Sequence, residues 1–233
     1  MAVLLLRFAG PMQAWGDSSR FNHRGTRREP TKSGVVGLLA AACGRRRTES
    51  IEDLAALSFG VRTDQVGRIE RDFQTEIDWR RGKSKPLTYR DYLSDAVFVA
   101  AVEGPRELLE GLESALRKPV FPLYLGRRAF QPTGRIVLGI SEVPLTVALR
   151  EAEWQAAEWY RRRQATEVVL PIIRDVVGDE EFDEIIADNP ISFDPRERKH
   201  GSRAVMHEWV EKTNDIGMKS VLTHDPMALL GGE

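Results

Sequence analysis

Cysteine occurs once in the 233 residues, at Cys43, so no internal disulfide framework exists and the chain suits a reducing compartment. Cys43 sits in an apolar helical run, which reads as core rather than as a nucleophile. Histidine is also scarce, and His23, His200, His207 and His224 form no cluster that spacing alone would call a metal site. His207-Glu208 opens like a zinc-protease motif, but Glu211 stands where the second histidine belongs. The phosphate-loop signature, the dinucleotide-binding glycine pattern after a strand and the serine nucleophile elbow are all missing. No cofactor is expected. Long apolar runs are lacking as well: the first, Val3 to Leu6, stops at Arg7, too short for a signal peptide or a membrane span. It reads as a first strand, and the expected compartment is the cytoplasm.

What is present is a chain rich enough in apolar residues, 42%, to build a real core. The net charge of −1 hides an asymmetry. Residues 1–141 carry 23 basic and 16 acidic side chains, whereas residues 142–233 carry 11 and 19. The first part is therefore expected either to face a polyanion or to present an ordinary solvated surface, and arginine, which forks onto phosphate and stacks on bases, dominates its basic set.

Periodicity predicts a strand over Val3 to Phe8 and a helix capped by Thr31 or Ser33 that carries Val35, Val36, Leu38, Leu39 and Ala42. A short helix over Glu52 to Leu57 and a strand over Phe59 to Thr63 follow. Residues 66–90 are poor in apolar side chains and read as a protruding loop or hairpin. Ala96 to Val102 reads as a strand, Leu108 to Leu116 as an amphipathic helix ending before Pro119, and Ile136 to Ile140 as a strand. This order, βαββαβ, predicts an α+β, ferredoxin-like (RRM-like) domain over 1–141, a topology whose sheet face binds nucleic acid in RNA-recognition modules. Residues 142–233 read as a smaller, acidic, partly β C-terminal region, with a helix over Arg150 to Arg163 and strands over Val168 to Val177 and Ala204 to Val210.

Three basic constellations stand out. The first joins Gln13, Trp15, Arg20, Arg24, Arg27, Arg28, Thr31, Lys32 and Ser33. The start of the helix at Thr31-Lys32-Ser33-Gly34 offers free amides to a phosphate, or is simply capped by Thr31 or Ser33. Trp15 either stacks on a base or anchors the loop from the core. The second comprises Trp79, Arg80, Arg81, Lys83, Lys85 and Arg90, a set with few apolar anchors that suits a backbone clamp. In the third, Gly126 allows close approach to a ligand flanked by Arg127 and Arg128, or merely a turn with exposed arginines. Together they point to single-stranded nucleic acid on one face.

The words of the sequence say more. LRFAGPMQAWG at 6–16, PTKSGVVGLLAAACG at 30–44, YRDYLSDAVFVAAV at 89–102 and KPVFPLYLGRR at 118–128 resemble the CasD family, repeat-associated (RAMP) proteins of the type I-E CRISPR Cascade complex. The resemblance covers the first 140 or so residues, in order. It implies a non-catalytic subunit that binds and caps the 5′ handle of the crRNA and takes part in recognition of invading DNA. It implies a ferredoxin-like domain with a projecting thumb, here about 66–94, contact with the large subunit CasA and the backbone subunit CasC, and contact with target DNA only through the complex. On that template Gln13, Trp15, Arg27, Arg28, Lys32, Ser33, Arg127 and Arg128 face the handle, and the thumb's basic residues grip the sugar-phosphate backbone.

Two rivals follow from the same residues. A metal-independent ribonuclease cutting repeat RNA would draw on His23 with Lys32, or Tyr89 with Lys85. An assembly subunit would turn its basic patches to an acidic protein surface instead of RNA.

Overall fold

A computed structural model describes residues 1–16, 19–20 and 22–218, with only the backbone at 19 and 20. It is a mixed α/β structure made mostly of sheet. The elements begin with β1 (Ala2–Ala9), β2 (Met12–Gln13), β3 (Ser19–Arg20) and β4 (His23–Arg24), then α1 (Lys32–Ala42) and α2 (Glu52–Ala55). Next come β5 (Ser58–Gln65), β6 (Arg68–Gln74), β7 (Ile77–Asp78), β8 (Lys83–Ser84), β9 (Thr88–Ser94) and β10 (Val97–Gly104). The chain continues through α3 (Arg106–Arg117), β11 (Val137–Ser141), α4 (Leu145–Glu151) and α5 (Glu158–Arg161) to β12 (Glu167–Asp175), β13 (Glu184–Ser192) and β14 (Lys199–Thr213). Among the described residues no helix is long and apolar enough to cross a membrane.

The main sheet has seven strands in the order β11-β1-β10-β5-β12-β14-β13, and every pairing is antiparallel. Strands β1 and β10 are apolar at nearly every position because both of their faces are covered. Leu4, Leu6, Phe8, Phe98 and Ala100 point into the larger core with Val35, Leu39, Leu109 and Leu112 of α1 and α3. Val3, Val99 and Ala101 point the other way, under Leu145, Ala148 and Leu149 of α4. The face of β1 and β10 opposite α1 and α3 is thus covered by α4.

The C-terminal strands extend the same sheet: Ile172, Ile173 and Arg174 of β12 pair with Arg62, Val61 and Gly60 of β5. The edge strand β13 is invisible to periodicity because Asp188, Asn189 and Pro190 read as a turn; an edge position tolerates the missing amide of Pro190.

The helix expected over Arg150 to Arg163 is not continuous. It divides into α4 and α5, and residues between them run extended because β5 holds them. The buried Arg62 guanidinium donates to the carbonyls of Leu149, Ala152 and Glu153 at 2.5–2.8 Å, ending α4. Asp64 then accepts from the Gln155 amide at 2.5 Å, and Trp154 Nε1 donates to the Asp64 carbonyl at 2.7 Å. A pair of polar residues inside β5 overrides local helix preference.

The insertion is a hairpin. β6 pairs with β9 along its whole length, and β7 with β8 closes the tip around Gly82, whose φ of +62° suits glycine. All of β6 is exposed.

Candidate nucleic-acid interface

The loop after β1 starts from buried polar contacts. Gln13 is fully buried; its Nε2 donates to the Ala96 carbonyl at 2.7 Å, and its Oε1 accepts from Trp15 Nε1 at 3.0 Å. The Trp15 ring lies 5.5 Å from that of Phe8 and is 1% exposed. A Cβ on Gly34 would sit 2.8 Å from the indole. Of the two readings of Trp15, the geometry is that of the core anchor, and Gln13 serves the same anchor.

The helix start at 31–34 is an anion site, and the anions are the chain's own. Thr31 caps α1 by accepting from the Gly34 amide at 3.2 Å. The Lys32 amide donates to Asp188 Oδ2 at 2.7 Å and Lys32 Nζ to Asp175 Oδ2 at 3.1 Å. Arg203 binds both carboxylates, Asp188 through two nitrogens and Asp175 through a third at 2.5 Å. Thr31, Lys32 and Ser33 are buried, so the phosphate expected there is replaced by β12 and β13.

Beyond this anchor the basic residues reach the surface. Arg28 is exposed; Arg27 is half-buried between Glu29 at 2.9 Å and Glu184 at 3.3 Å. The side chain of Arg20 lies outside the described residues. Parallel pairing of β4 with β9 sets Arg24 beside Arg90, whose buried Nε has no hydrogen-bond partner among the described residues. The antiparallel register of β6 with β9 puts Asp72 opposite Arg90 on its other side. On the other face of β9, Asp91 accepts from His23 Nε2 at 2.7 Å and Arg71 Nε at 2.9 Å. Burial alone would raise the Asp91 carboxyl; the hydrogen bonds and charges of Arg71 and His23 hold it below its ordinary value.

The hairpin tip carries the freest cations. Arg80, Arg81 and Lys83 are exposed and make no ion pair among the described residues, while Lys85 meets Glu76 at 3.3 Å. Arg80 stacks over the Trp79 ring at 5.1 Å, and that ring is 83% exposed. Phe73 and Tyr89 face each other across β6 and β9, both exposed. This aromatic pair lies outside the three basic constellations; its signal in the sequence is an aromatic residue set among charged ones, Phe73 in RIERDFQ and Tyr89 in TYRDYLS. Such rings among guanidiniums can stack on bases of any identity.

Gly126 does permit close approach, but to the chain itself. Its φ is +89°, and a Cβ there would lie 1.8 Å from the Ala14 carbonyl oxygen. The Ala14 amide donates to the Leu125 carbonyl at 3.0 Å, docking this loop beside Trp15. Arg127 is left half-buried and Arg128 exposed.

Residues 3–206 match the family model described as CRISPR-associated protein (Cas_Cas5), and the chain belongs to that family. Among curated proteins it is similar to the CRISPR system Cascade subunit CasD of Escherichia coli (strain K12), 38% identical over 158 residues, which is 59% of this chain and 70% of that protein. Among solved structures it is similar to a chain of a CRISPR RNA-guided surveillance complex, 32% identical with a TM-score of 0.74 over 92% of each chain. A crystal structure of a Cas protein is 40% identical, with a TM-score of 0.69 over 89% of this chain and 94% of the other.

Proposed function

We propose that this chain is the non-catalytic Cascade subunit that binds and caps the 5′ handle of the crRNA in the cytoplasm. The observation that carries the reading is the hairpin tip, where Arg80, Arg81 and Lys83 stand exposed around Trp79, with no carboxylate partner among the described residues. Cations so arranged neutralise phosphates and give salt-dependent affinity. We read β1, α1, β5, β10, α3 and β11 as the ferredoxin-like unit of residues 1–141. The strand order β11-β1-β10-β5 supports it. On this reading residues 66–94 are the thumb. Arg24, Arg27, Arg28, Arg90, Arg127 and Arg128 line the handle's path, over a support of Gln13, Trp15, Thr31, Lys32 and Ser33. Residues 142–233 serve protein contact, CasA and CasC are the neighbours, and target DNA is met only through the assembly.

A non-catalytic role is favoured by where the cations that cleavage would need are engaged: Lys32 is buried against Asp175, and Lys85 pairs with Glu76. Crosslinking within the assembled complex tests the reading: residues 79–90 are expected to crosslink to the guide beside its handle. Metal-free cleavage of repeat RNA, lost in His23→Ala, would instead establish the ribonuclease. Absence of saturable handle binding at low salt would favour the pure assembly subunit.

A further inference from the structure

The most deeply buried arginines of this protein are paired with carboxylates: Arg62 with Asp64, Arg174 with Glu208, Arg203 with Asp188. Half-buried Arg7 is not, and exposed Arg135 stands beside it. Both line an open cleft of about 570 Å³ on the sheet face that carries α4, together with Trp154 and Gln155. Arg7 follows Val3 and Leu5 along that face of β1; they lie under α4, and Arg7 lies where the cleft opens. Its Nη1 donates to the Thr133 carbonyl at 3.0 Å, but it makes no ion pair among the described residues, and burial lowers its pKa. Arg135 is exposed and likewise makes no ion pair among them. Glu153 borders the cleft without pairing to either. The Asp64 charge also acts on Arg7, but neither carboxylate makes an ion pair with Arg7 or Arg135 among the described residues; a phosphodiester would supply a direct partner.

The Trp154 ring suits a base. The Trp154 indole is fixed by its bond to the Asp64 carbonyl, and one side of the ring is covered by the Arg161 guanidinium at 5.2 Å. Arg135 of the cleft also lies on the segment that carries Arg127 and Arg128. The segment from Leu125 to Arg135 runs along the end of β1, its Thr133 amide donating to the Ala9 carbonyl at 2.7 Å. Arg127 and Arg128 stand at one end of this segment and Arg135 at the other.

We propose that Arg7, Arg135 and Trp154 form a further binding surface for single-stranded RNA, the guanidiniums taking a phosphodiester and the indole a base. This rests on the RNA-binding reading above and extends the strand's path around the end of β1 onto the α4 face.

The test is the salt dependence of guide-RNA binding by the full chain. Arg7→Gln/Arg135→Gln is expected to weaken binding at least tenfold and to flatten the slope of log affinity against log salt by about 1.4, at roughly 0.7 for each single-strand phosphate neutralised. Arg135→Gln alone, at an exposed position where misfolding is not expected, should flatten it by about 0.7. Arg196→Gln/Arg198→Gln removes the same charge from exposed positions elsewhere and should leave the slope unchanged. Wild-type behaviour of the cleft variants, with weakened binding in a hairpin-tip variant, overturns this inference and leaves RNA binding intact. An equal weakening in the charge-matched control overturns it too. If hairpin and cleft variants both bind as wild type, the underlying reading fails with it.

Discussion

The amide of Lys32 donates to Asp188 Oδ2 at 2.7 Å, tying the first turn of α1 to the edge strand β13 across 156 positions of sequence. The same carboxylate takes two bonds from Arg203, and all three groups are buried. Removing one partner of a buried charge network leaves the other uncompensated. Asp188→Ala is therefore expected to lower unfolding stability by about 3 kcal/mol. Asp188→Asn, which keeps a carbonyl acceptor for the amide, should cost less. Urea unfolding measures both.

Trp15 separates support from direct binding. Trp15→Ala empties a core site and should cost about 3–5 kcal/mol. Trp15→Phe keeps most of the apolar volume, and its handle-RNA affinity should stay within about twofold of wild type, since a buried ring contributes no base stacking. A selective fall in affinity in a well-folded Trp15→Phe protein would contradict the placement of this ring.

Gly126→Ala forces a Cβ against the Ala14 carbonyl at a positive φ. The loop must move, at a cost of about 2 kcal/mol or more. Because the move displaces Arg127 and Arg128, RNA affinity should fall together with the thermal midpoint.

Acid should destabilise the protein through its paired carboxylates. Burial pushes Glu208 up, but the hydrogen bonds and charges of Arg150 and Arg174 outweigh it and hold the folded pKa below the ordinary value. A depressed carboxyl contributes stability that is complete above the unfolded pKa, about 4.3, and is lost as pH falls through the folded value. Stability should be level near neutrality and decline below about pH 4.5. Glu208→Gln should start lower and decline less steeply.

The sequence carries the fold of the first 141 residues well where two buried faces leave continuous apolar runs, as in β1 and β10, or one face leaves a helical stripe, as in α3. It carries the C-terminal strands less well. The break between α4 and α5 depends on Arg62 and Asp64, some 90 positions earlier, and β13 looks like a turn. The site divides in the same way. Exposed cations such as Arg80 and Arg81 are legible because nothing nearby neutralises them. Lys32 and Ser33 carry an anion-site signature too, yet the anions prove to be Asp175 and Asp188, which no local pattern reveals. Arg7 is concealed inside an apolar strand.

The central claim is that the hairpin's cations grip the leading end of the guide. Its most direct test is handle-RNA binding by the chain with Arg80, Arg81, Lys83 and Lys85 all changed to Gln, titrated across salt. The expected result is a folded protein whose affinity drops at least a hundredfold at low salt and whose salt slope flattens by about two to three, at roughly 0.7 for each phosphate no longer neutralised. Wild-type affinity and slope in that variant, with guide retention unchanged in the assembled complex, would contradict the account.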